Sequence, residues 1–206
     1  MALYLLQSHA GLVNINRASS GALEAALVAL GMGQGNAQDL SRKIIAHRSF
    51  SSADNGKSKE GFSGGPKSAP LEAISELYDI AEMGNTPYRD LHRTFTVRAA
   101  ANTLSLTVAP KHLKDAAQRF SGLNGTSAHT ADPSSTPVTV SVVVRRGALT
   151  GQFNGIFATK TGGGLGDQLV ESWRYDEPAS DDEGNIFGNC SATFGPEFGR
   201  ILNEFG

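Results

Sequence analysis

Val138, Val140, Val142 and Val144 take every second position of "VTVSVVVRR", residues 138 to 146, with Thr139, Ser141, Val143 and Arg145 between them. A period of two fits a pleated strand, whose successive side chains leave on opposite faces, and not a helix of about 3.6 residues per turn. After Gly147 a second run, 149 to 159, sets Leu149, Phe153 and Phe157 on one face and Gln152, Asn154, Ile156 and Ala158 on the other. Gly151 and Gly155 share the Phe153 face, where they permit close packing or a bulge. Two such runs joined by a short turn read as an antiparallel hairpin. No crossover helix separates them, which argues against a doubly wound nucleotide fold.

The same period appears from Arg93 onward. Phe95, Val97 and Ala99 alternate with Thr94, Thr96 and Arg98, and Leu104, Leu106 and Val108 with Thr103, Ser105 and Thr107. A second hairpin with one buried face is expected there. Leu3 to Leu6 suggests a short first strand, and a further short segment runs from Leu169 to Tyr175.

Helical spacing marks four other stretches. Leu23, Ala26, Leu27 and Leu30 share one face of a helix from about Ala22 to Leu30, ended by "GMGQGN". Asn36, with Asp39 three residues on, suggests the capped start of a second helix with Leu40, Ile44 and His47 inward, so the pair predicts an αα-hairpin. Ser68 begins a third, with Pro70 in its first turn, an inner stripe of Leu71, Ile74, Leu77, Tyr78 and Ala81, and Gly84 beyond its end. Pro110 opens a fourth with Leu113, Ala116, Ala117 and Phe120. Together these patterns predict an α+β fold: an antiparallel sheet of four to six strands with helices packed on one face, long irregular loops and an extended C-terminal tail.

A length of 206 residues fits a single domain, 1–206. Charged residues make up 18% of the chain, below the usual share of about 25%, and 24 residues are glycine, so its polarity comes from Ser, Thr, Asn and Gln in turns and loops. Segments 49–69 and 121–136 are the expected loop or arm excursions. In the tail, 176–206, Phe187, Phe194, Phe198 and Phe205 are spaced among glycines. They read as anchors for the chain's own core or for a neighbouring subunit, and Trp173 reads as a further interface residue.

Charge is uneven along the chain although the net is only −2. Residues 1–50 hold four basic and two acidic side chains, whereas 171–206 hold two basic and eight acidic. There is no long Lys/Arg cluster of the kind that wraps a phosphate backbone. Nucleic acid remains an alternative through Arg93, Arg98, Arg145 and Arg146, if the two hairpins share a sheet and bring them onto one phosphate- or acid-binding face. Met1 to Leu6 is too short and uncharged for a signal peptide, and no run is long enough to span a membrane. The expected location is cytoplasmic or within an assembled particle.

Chemistry-bearing motifs fail their own tests. "ATKTGGGLGD", Ala158 to Asp167, places Lys160 before its glycines and Asp167 after them. A phosphate loop needs a Gly-Lys-Ser/Thr ending, and the dinucleotide pattern would need glycine at 167. An EF-hand aligned on Gly184 puts Ala179 first and Cys190 twelfth, so both end ligands are missing. One cysteine excludes an intramolecular disulfide and an all-cysteine cage, and no H-x-x-x-H or H-x-E pair occurs. No metal or cofactor is expected. Catalytic candidates reduce to Cys190, should a histidine lie beside it, and to Glu171 and Asp176, which flank Trp173.

The leading expectation is a non-enzymatic, self-assembling structural subunit, coat-, tube- or filament-like, forming homo-oligomers through its loops and Phe/Gly-rich tail. The alternatives are a small hydrolase or transferase with an acidic or cysteine cleft, and a nucleic-acid-binding module with an arginine-bearing sheet face.

Overall fold

A computed structural model of the chain describes residues 2–48, 69–80, 83, 86–99, 104–123, 136–146, 149–159, 167–175 and 188–189. In chain order the elements are β1 (Ala2–Ser8), β2 (Val13–Asn14), α1 (Ser20–Ala29), α2 (Gln34–Arg48), α3 (Leu77–Ile80) and α4 (Tyr88–Thr94). They continue with β3 (Phe95–Thr96), α5 (Lys111–Arg119), β4 (Val138–Arg146), β5 (Leu149–Thr159), β6 (Asp167–Tyr175) and β7 (Gly188–Asn189). Helices and an antiparallel sheet make the fold α+β. Packing groups the chain into two compact units, Ala10–His129 and a second made of Met1–His9 with Thr130–Gly206.

Within Ala10–His129, Ser19 caps α1, its hydroxyl accepting from the Ala22 N–H at 3.2 Å. Leu23, Ala26 and Leu27 are buried, as their spacing demands, and Leu30 is half-buried. Gly31, at φ +88°, takes the left-handed turn that lets α2 fold back on α1 as the expected αα-hairpin. The start of α2 corrects the capping assignment: the helix begins at Gln34, so Asn36 lies inside its first turn and is exposed. At its far end Arg48 donates from its two terminal nitrogens to the Ile15 and Ala18 carbonyls, and burial pushes its guanidinium below the usual value.

The third helix is shorter than its stripe suggests. The side-chain amide of Asn16 takes both the N–H and the C=O of Leu71, which removes that carbonyl from helix bonding. Helical structure begins only with a 3₁₀ turn at Ile74–Glu76 and continues as α3. Leu71, Ile74 and Leu77 are buried all the same. The fourth helix, α5, opens after Pro110 with Leu113 and Ala116 buried, as expected.

The hairpin expected from Arg93 to Val108 does not form. Arg93 and Thr94 belong to α4, where the Thr94 hydroxyl donates to Asp90 O at 2.8 Å. The two residues of β3 pair in parallel with β2, Val13 opposite Phe95 and Asn14 opposite Thr96. Asn14 Nδ2 then donates to the Ala99 carbonyl, and the Ser105 N–H donates to Ala10 O at 2.8 Å. Both halves of the alternating run therefore bond to residues 10–15, the Ile15 N–H donating to Thr96 O at 2.9 Å.

In the other unit β1, β4, β5 and β6 are antiparallel neighbours in the order β6-β5-β4-β1, and Gly188 and Asn189 pair with Tyr4 and Leu3 on the outer side of β1. The valine hairpin is thus confirmed in register: Val140 faces Gly155, Ser141 faces Asn154 and Val142 faces Phe153. In the separate pairing of β5 with β6, a register shift falls between Ile156 and Phe157. Alternation of this kind ordinarily buries its apolar row. Here the other row is inside: Thr139, Ser141, Val143, Gln152, Asn154 and Ile156 are buried, while Val138, Val140 and Val142 are only half-buried.

Candidate functional site

The buried face of this sheet is a hydrogen-bonded polar ladder. Ser141 Oγ donates to Asn154 Oδ1 at 2.7 Å, and Gln152 Nε2 donates to the same oxygen at 2.9 Å. His9 Nε2 lies 2.8 Å from Thr139 Oγ1, and the His9 backbone N–H donates to Pro137 O at 2.9 Å. Asn154 Nδ2 is buried with no hydrogen-bond partner. The cross-strand bond from Ser141 to Asn154 helps fix register, because a slip of one residue would turn one of the two side chains to the other face.

The opposite face is where the sheet meets solvent. Leu6, 56% exposed, and Phe153, 50% exposed, are the large exposed hydrophobics among the described residues, and both lie on this one face. Leu6 pairs with Val140, which pairs with Gly155, and Val142 pairs with Phe153. An aromatic ring, a leucine and half-buried valines thus form a contiguous apolar surface on three strands. Exposed apolar surface gathered in one place marks a contact site more often than scattered single residues do.

No protein-family model, curated protein or solved structure matches this chain.

The other sequence-derived candidates fall in several places. Trp173 and Glu171 lie on β6, opposite Asn154 and Ile156 in register. Arg145 and Arg146 end β4, opposite Thr150 and Leu149. Arg93 is on α4 and Arg98 follows β3, both in the helical unit, so the four arginines do not belong to one sheet as the nucleic-acid reading required. Cys190, Asp176, Phe187, Phe194, Phe198 and Phe205 lie outside the described residues, as do the glycines at 162–164 and 166 and the acidic turn at 181–183.

Several histidines considered as partners for Cys190 have structural contacts. Beyond His9, His112 Nε2 sits 2.9 Å from Thr94 Oγ1, and the His92 ring packs edge-on against Tyr88 at 4.3 Å between centroids. Among the described residues no group of three His, Cys, Asp or Glu side chains is placed to hold a metal ion. No described helix is long and apolar enough to cross a membrane.

What sequence reasoning missed is which face of the hairpin turns inward. A signal was present in the run itself: Thr139, Ser141, Gln152 and Asn154 are uncharged hydrogen-bonding side chains on one row, and Ser141 stands opposite Asn154 in register.

Proposed function

We propose that this chain is a non-enzymatic structural subunit that assembles with copies of itself, in the manner of a coat, tube or filament protein. The observation that carries the reading is the inverted sheet: the polar row of β4 and β5 is buried and hydrogen-bonded, while Leu6 and Phe153 stand out from the apolar row. A chain that worked alone would gain from burying that row, at about 25 cal/mol per Å² of apolar surface removed from water. A subunit gains the same energy on assembly.

The proposal includes the finer architecture expected from the sequence, a sheet of four to six strands with helices on one face, together with contacts made by the loops and the Phe-bearing tail. Trp173, Phe187, Phe194, Phe198 and Phe205 are its proposed interface residues. Uneven charge, basic early and acidic late, favours heterologous contacts between copies.

The test is the mass of the purified chain by light scattering at two concentrations at least tenfold apart. A large particle, or a mass that rises with concentration, supports the reading. A monomer at both concentrations overturns it. Removing residues 190–206 spares β7 and its pairing with β1, and should shrink the particle if the tail makes contacts.

A further inference from the structure

Residues 86–119 carry six basic side chains and two acidic ones, a net of +4 in a chain whose total is −2. Five of the six stand on two helices: Arg89 and Arg93 on α4, and Lys111, Lys114 and Arg119 on α5. The end of α4 meets the start of α5, where Thr94 Oγ1 lies 2.9 Å from His112 Nε2. Lys111 and Arg119 are exposed, and Arg89, Arg93 and Lys114 are half-buried. Asp90 and Asp115 offset only part of this charge, lying 3.6 Å from Arg89 Nε and 3.8 Å from Lys111 Nζ. The placement also runs against helix electrostatics, which favour acids in the first turn, near the positive end of the dipole. The first turn of α5 has no acid and no side-chain cap, and its first four residues include Lys111 and Lys114. A negative partner at this end would relieve that repulsion.

We infer that this basic surface docks an acidic segment of a second copy, residues 176–183. That segment lies outside the described residues and holds Asp176, Glu177, Asp181, Asp182 and Glu183 with no basic residue. The inference rests on the self-assembly reading and names two surfaces that join. Charge complementarity selects the occupant, since five negative charges within eight residues face a net of +4. A free polyanion such as nucleic acid would meet the overall negative charge of the chain, whereas the segment of another copy already belongs to that balance. Surface and segment are different parts of the sequence, so the contact is heterologous. Each copy gives its segment to one neighbour and receives another's, which builds rings or filaments.

Charge reversal tests this on the full chain. K111E/R119E reverses two exposed positions of α5, and glutamate at 111 suits the helix start. D181K/D182K reverses part of the segment. By light scattering at low ionic strength, each variant alone should associate at least about tenfold more weakly than wild type, with far-UV spectra checked for retained folding. An equimolar mixture, in which each reversed surface meets its opposite, should recover the wild-type mass. A chain carrying all four substitutions should recover it too. Three results would overturn the inference while leaving self-assembly intact. They are variants that assemble as wild type does, a mixture that stays as dissociated as its components, and labelled single-stranded DNA that binds wild type and D181K/D182K but not K111E/R119E, which would make nucleic acid the occupant. A wild-type chain that stays monomeric at every concentration would remove both readings together.

Discussion

The side-chain amide of Asn16 pairs with both backbone groups of Leu71: Nδ2 donates to Leu71 O and Oδ1 accepts from Leu71 N–H, each at 2.8 Å. The amide copies the pattern of a strand partner across 55 positions of chain and holds the Leu71 backbone beside residue 16. Asn16→Ala leaves both Leu71 groups without their partner, and urea denaturation should show a loss of about 1–3 kcal/mol. Asn16→Asp keeps the acceptor but turns a carboxylate oxygen toward the Leu71 carbonyl. It should be as destabilised as the alanine variant at neutral pH and recover part of the loss below about pH 4, where a protonated carboxyl can donate.

Two glycines in the same unit should respond oppositely to alanine. A Cβ on Gly11 would stand 2.4 Å from Val108 O and 2.6 Å from Val108 C, so backbone must move to admit it. Gly11→Ala is expected to destabilise by about 1–3 kcal/mol. Gly35 lies in the first turn of α2 with nothing within 4 Å of its Cβ position. Gly35→Ala should stabilise by up to about 1 kcal/mol, because alanine loses less backbone entropy in a helix. Denaturation midpoints measured side by side test both.

Alkaline stability should depend on Tyr78. Burial first, and then the Asp90 carboxylate, push its phenol above the ordinary value. The folded state therefore holds this proton where the unfolded chain releases it. The contribution to stability is present below about pH 10 and is lost as pH rises through the folded value. Tyr78→Phe removes the titration and also the 2.7 Å bond from the Tyr78 hydroxyl to Thr86 O. The variant should be less stable than the parent at pH 8, with the gap narrowing above about pH 10. A gap that widens with pH would contradict the assignment.

Legibility in the sequence tracked how local each cause was. The stripes of α1 and α5, and the register-bearing valine hairpin, are set by near neighbours in the chain and were readable from period alone. The run from Arg93 to Val108 has the same period of two, yet its backbone bonds to residues 10–15, and no local pattern announces partners that distant. Leu71 kept its place in the core but not its helix, because the deciding atom pair belongs to Asn16. As for the candidate surface, Leu6 and Phe153 were visible as strand residues, but which row faces outward depends on what else the fold offers to cover it. Alternation fixes that two faces differ, and leaves open which one is buried.

Substitutions on the two faces of the hairpin should therefore separate folding from association. Asn154→Ala takes away the oxygen that accepts from both Ser141 Oγ and Gln152 Nε2, leaving two buried donors to find new partners. A loss of about 2–4 kcal/mol is expected, whereas Ser141→Ala, which leaves the Gln152 bond in place, should cost about 1 kcal/mol. Phe153→Ala removes a ring that is 50% exposed, and should change unfolding of the dissociated chain by less than about 1 kcal/mol. Leu27→Ala, at a fully buried position of α1, should cost about 2–5 kcal/mol. If Phe153→Ala instead proved as damaging as Leu27→Ala in dilute solution, the ring would be serving the chain's own core, and the case for an outward apolar face would fail on thermodynamic grounds alone.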